Sequence, residues 1–79
     1  MTDEQILSKI TEVVQDQLDN PDIALTMTTV AKDVEGWDSL AHVRITIAIE
    51  QAFGLRFSSS RISGIGNVGE LVELVRNPG

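Results

Sequence analysis

Apolar positions in this chain form three periodic blocks separated by two stretches that lack a period. In the first block Ile6, Leu7, Ile10, Val13, Val14 and Leu18 recur at steps of three and four, opposite Asp3, Lys9, Glu12 and Asp16. That spacing predicts an amphipathic helix over about residues 3–18. At its head Thr2-Asp3-Glu4-Gln5 has the form of a capping box, and Asp3 and Glu4 suit the positive end of the helix dipole. Asn20-Pro21-Asp22 ends it, because proline lacks the amide donor and pushes the preceding residue away from helical angles. A long connection then runs to Trp37. Its Ile23 to Val30 portion is β-branched and threonine-rich, but no second strand-like run exists to pair with it. An ordered loop pinned by Ile23, Leu25, Met27, Val30, Val34 and Trp37 is expected.

The second block, Ser39 to Phe53, contains no proline or glycine; Asp38 is a good N-cap and Gly54 a good C-terminal stop. At about 100° per residue, Ala41, Ile45, Ala48, Ile49, Ala52 and Phe53 form one broad apolar face, while Leu40, Val43 and Ile47 form a narrower second one. Next, Ser58-Ser59-Ser60 offers a cap for a short helical turn ending near Ile62 or Ser63, which Gly64 and Gly66 weaken. Asn67 caps the third block, where Val68, Leu71, Val72 and Val75 face inward until about Arg76, before Asn77-Pro78-Gly79. The pattern predicts an all-α fold, one domain over 1–79, built as a small four-helix bundle with a long first loop and a short, weak third helix.

Length and charge narrow what such a bundle can do. At 79 residues the chain buries only roughly 60% of its unfolded surface, which leaves no room for a large substrate cleft. It has no cysteine and 42% hydrophobic residues, so packing rather than disulfides must hold it. No signal peptide and no membrane-length apolar run are visible, and a cytoplasmic monomer is expected. Twelve acidic against six basic residues give a net charge of −6, which repels nucleic acid and anionic membranes and favours basic partner surfaces.

The chemistry concentrates at Gly36-Trp37-Asp38-Ser39-Leu40, which places a serine hydroxyl at the start of the central helix. Asp38-Ser39-Leu40 at the head of the second of four helices resembles the acyl carrier protein family. Leu40, Val43, Ala48, Glu50, Phe53 and Gly54 fall on that family's helix pattern, and Val68-Gly69-Glu70-Leu71 is similar to the start of its last helix. The resemblance covers nearly the whole chain. It implies that Ser39 carries a covalent 4′-phosphopantetheine, donated from coenzyme A by a phosphopantetheinyl transferase. Acyl groups would then ride on the arm as thioesters between acyl-loading and acyl-processing enzymes. An anion on Ser39 suits the place, since unpaired amides and the positive dipole end favour it.

Each residue also has a plainer role. Ser39 alone is an ordinary capping residue, and Asp38 serves as N-cap as well as, by resemblance, in transferase recognition. Leu40, Arg44 and Ile47 are candidate partner-interface residues, although Leu40 and Ile47 suit a partly buried position equally well; Val43 is expected to line the interior beneath the arm. Trp37, two positions before Ser39, is a packing anchor that is also placed to sense the arm or its cargo, and it joins the candidate partner-interface residues. His42 shares a helical face with Ser39, which raises a Ser39/His42 hydrolase. No nucleophile elbow or oxyanion loop surrounds Ser39, so that alternative ranks last. One histidine without cysteine argues against zinc, and no acidic loop has the calcium-binding pattern.

Where the common family pattern has an acidic second helix, this one carries only Arg44 and Glu50 besides His42. Arg44 stands at a position that is usually glutamate, and Ala41, Gln51 and Ala52 also replace acids. The inversion predicts a specialised carrier for a dedicated pathway rather than bulk fatty acid synthesis. An aminoacyl or peptidyl carrier of the same mechanism, and a helical interaction module without a prosthetic group, remain the alternatives to an acyl carrier that is not itself an enzyme.

Overall fold

The computed structural model describes residues 2–77, so the expected terminal stop at Pro78-Gly79 lies outside the described residues. Four α-helices run in the order α1 (Asp3–Gln17), α2 (Ser39–Phe53), α3 (Ser59–Ser63) and α4 (Val68–Arg76), and no strand occurs among the described residues. No helix among them is long and apolar enough to cross a membrane. Local sequence accounts for the boundaries. Thr2 and Gln5 form the capping box, Asp38 caps α2, Ser58 caps α3, and Asn67 and Glu70 form a second capping box on α4. Gly54 ends α2 at φ 65°, a left-handed geometry that costs glycine little.

Helix α1 packs on both α2 and α4, and α3 packs on α4. Ile6, Ile10 and Val14 from α1 meet Ala41, Ile45 and Ile49 from α2 and Val68, Leu71, Val72 and Val75 from α4 in one core. Ile10, Ile45 and Ile49 are wholly buried, each worth about 1.5–3 kcal/mol relative to exposure. Leu74, outside the expected inward set of α4, is buried as well.

Two expectations about α2 need correction. Val43 does not line the interior: it is 57% exposed, with Leu40 at 76% and Ile47 at 49%. These three lie on the side of the helix opposite Ala41, Ile45 and Ile49, and only the latter join the core formed with α1 and α4. Ala52, assigned to the broad face, is also exposed.

The connection from Leu18 to Trp37 is an ordered loop with one 3-10 turn at Ala31–Asp33. Gln15 Nε2 donates to Ile23 O at 2.7 Å, and Leu25 and Trp37 bury their side chains. Met27 is 38% exposed, so its side chain does not pin the loop as expected; its backbone does. The first two amides of α4 donate into the loop, Val68 N to Thr29 O at 2.8 Å and Gly69 N to Met27 O at 2.7 Å. With the Glu70 amide on Asn67 Oδ1 at 2.9 Å, the first three amides of that helix, which have no intrahelical acceptor, are all satisfied. Gly69 permits the approach: a Cβ there would sit 2.6 Å from Met27 O.

Candidate functional site

The strapped loop delivers Gly36, Trp37 and Asp38 to the head of α2. Gly36 turns the chain at φ 89°, and Trp37 N donates to Val34 O at 3.1 Å. Trp37 then drives its ring into the core, where it is 8% exposed. That burial anchors the segment and corrects the expectation that Trp37 stands on the partner side. Its indole Nε1 donates to His42 Nδ1 at 3.1 Å, and the two rings stack with centroids 6.1 Å apart. In that bond Nδ1 of His42 is the acceptor.

Asp38 Oδ1 accepts from the Ala41 amide at 2.8 Å, and Asp38 O accepts from the His42 amide at 2.8 Å. Ser39 is thereby the first residue of α2, with its side chain exposed. Both Asp38 and Leu40 are exposed beside it. The contrast with α4 is informative. There a loop covers the first two amides, whereas at α2 no hydrogen bond among the described residues uses the Ser39 or Leu40 amide. Those two donors, with the positive dipole end, are available to an anion attached at Ser39.

An open depression of about 400 Å³ adjoins the hydroxyl, lined by Ala31, Lys32, Trp37, Asp38, Ser39 and His42. Lys32 is its only cation. It comes from the 3-10 turn, seven residues before Ser39, and sequence spacing offered no signal for it; only the path of the loop brings it there. Trp37 and His42 also line a small, partly open recess of about 30 Å³ shared with Ile65, Val68 and Leu71, on the order of the space of one water. Among the described residues no hydrogen bond joins Ser39 to His42, whose Nδ1 is taken by Trp37, and no group of acidic, histidine or cysteine side chains is arranged to hold a metal ion.

The remaining expected residues lie along α2. Leu40, Arg44 and Ile47 are all exposed, so together with Asp38 they form one continuous surface leading away from Ser39. An exposed hydroxyl with free amides and a lysine beside it fits attachment of a phosphate-bearing group.

Comparison with known proteins agrees with that geometry. Residues 8–75 match the family model described as "Phosphopantetheine attachment site". The chain is 32% identical to an acyl carrier protein of Saccharopolyspora erythraea, over 94% of this chain and 78% of that one. It is 29% identical to an acyl carrier protein of Prochlorococcus marinus, over 95% and 94%. The solution structure of a holo acyl carrier protein from Geobacter metallireducens superposes with a TM-score of 0.85 at 30% identity, covering 92% of this chain and 84% of that one.

Proposed function

The chain belongs to the phosphopantetheine-attachment family of acyl carrier proteins, and on that premise we propose that Ser39 is the residue that bears its 4′-phosphopantetheine. The protein is a carrier of acyl groups held as thioesters, and its prosthetic group is 4′-phosphopantetheine. That group supplies the thiol and the reach, chemistry that a chain without cysteine cannot provide. The observation that carries the assignment to Ser39 is its position: an exposed hydroxyl on the first residue of α2, set there by the Asp38 cap.

The chain's own residues have limited and definable tasks. Ser39 Oγ is the acceptor hydroxyl, and its proton must go to the transferase, because His42 presents Nδ1 to Trp37 rather than to the serine. The same bond removes support from a Ser39/His42 hydrolase, and the family is one of carriers rather than catalysts. The amides of Ser39 and Leu40 and the ammonium of Lys32 are the groups that would hold the phosphodiester. Trp37, buried under the turn, keeps that end of α2 in place.

Family membership implies enzymes that modify the carrier and process its acyl groups. We place this carrier in a dedicated pathway, since the first turn of α2 contains no acidic residue and Arg44 is exposed on the turn that follows. Incubation with a phosphopantetheinyl transferase and coenzyme A, followed by mass spectrometry, tests the central assignment. A phosphopantetheinyl increment localised to Ser39 and absent in Ser39→Ala is expected; equal loading of that variant would refute it. Poor elongation on this carrier by a general fatty acid synthase is the expectation for the pathway, and efficient elongation would count against it.

A further inference from the structure

Leading away from Ser39, α2 exposes Leu40, Val43, Arg44 and Ile47 at successive steps of three, one and three residues, a single stripe along the helix. Leu40, Val43 and Ile47 are the most exposed large aliphatic side chains of the described residues. The stripe runs on into an open depression of about 450 Å³ between α2 and the segment after it, lined by Ile47, Glu50, Gln51, Gly54, Leu55 and Arg56. A bundle this small gains nothing from leaving three such side chains in water, so contiguous apolar surface here marks a contact.

Charged side chains, at the stripe and elsewhere on the bundle, divide by whether a hydrogen bond or ion pair already engages them. Asp38 accepts from the Ala41 amide and Glu50 from the Phe57 amide, each at 2.8 Å. Arg61 donates to Asn77 O and Arg76 pairs with Asp3, both at 2.8 Å. Arg44 and Arg56, by contrast, are exposed and enter no ion pair among the described residues. In a chain of net charge −6, this stripe of the described residues is therefore flanked by two guanidinium groups that no ion pair engages, and these present forks for carboxylates.

We infer that this stripe docks a partner protein whose contact surface sets carboxylates around an apolar recess, one facing Arg44 and one facing Arg56. The inference rests on the carrier reading above and deepens it, by naming the chemistry of the enzymes that this carrier serves. The net negative charge of the remainder opposes both an anionic membrane and a second copy as the occupant. Complementary rim charges steer encounter and reject partners of the wrong sign.

The test uses one elongating enzyme of a general fatty acid synthase, chosen for a basic docking rim, in two forms: unaltered, and with those rim residues changed to glutamate. Affinities are measured by calorimetry for the unloaded and the phosphopantetheinylated chain. The chain should bind the acidic-rim form about tenfold more tightly than the basic-rim form, with roughly three- to fivefold from each arginine, and the preference should fade at high salt. Arg44→Glu with Arg56→Glu should invert it, while Leu40→Ser weakens both. Equal affinity for the two forms, or a preference indifferent to the arginine changes, overturns the inference. So does self-association, or binding to phosphatidylglycerol vesicles, that the arginine changes abolish. Absence of a mass increment on Ser39 would fault the attachment site instead, and the unloaded chain would still decide this question.

Discussion

Replacing Gly69 with alanine sets two effects of opposite sign against each other. As an ordinary helix substitution it should stabilise by up to about 1 kcal/mol, from the higher helix propensity of alanine. At this position the new Cβ would stand 2.6 Å from Met27 O and 3.2 Å from Asn67 Oδ1. Ordinary contact begins at 3.4 Å, so a backbone carbonyl must retreat by most of an ångström. That movement stretches the 2.7 Å bond from Gly69 N to Met27 O and strains the adjacent bond from Val68 N to Thr29 O. Each such bond is worth about 1 kcal/mol net, and a donor left without a partner costs about 1–3 kcal/mol. Clash and lost bonds therefore win, and Gly69→Ala should destabilise by about 1–2 kcal/mol net of propensity, lowering the melting temperature by roughly 5–15 °C. Thermal denaturation followed by circular dichroism gives the first number. Amide hydrogen exchange at Val68 and at position 69 gives the second, where protection should fall as the strap loosens. A raised melting temperature with unchanged protection would mean that propensity dominates and that the loop does not depend on this approach.

Substitutions at two further positions separate roles that coincide in one residue or test the core directly. Asp38→Ala should cost about 1 kcal/mol through loss of the cap on Ala41 N, whereas Asp38→Asn keeps an acceptor and should melt within about 0.5 kcal/mol of the parent. If the transferase reads the carboxylate charge, kcat/KM for loading falls in both; unaltered loading of the asparagine variant would leave Asp38 a cap alone. Ile45→Ala empties a fully buried position, and a loss of about 2–5 kcal/mol is expected, close to the whole stability of so small a core. Urea denaturation should show a midpoint shifted far down or no folded baseline, and a shift under about 1 kcal/mol would contradict the packing described.

Most of the helical boundaries were legible from sequence because they are set by contacts three or four residues apart. Thr2 with Gln5, Asp38 with Ala41 and Asn67 with Glu70 are such contacts, and each occurs where local spacing places it. The exposed serine at the head of α2 follows from the same logic. By itself, then, the sequence determined the helices, their caps and the exposed serine on which the proposed attachment rests. Tertiary structure alone decided which of two apolar faces of α2 would be covered, and it chose against Val43, since periodicity defines faces but not the neighbours that bury them. The same holds for Trp37, whose ring lies inside on His42, for Lys32 beside Ser39, and for the strap from Met27 and Thr29 onto α4. These pairings join residues by the path of a loop, and a loop carries no period from which its partners can be counted.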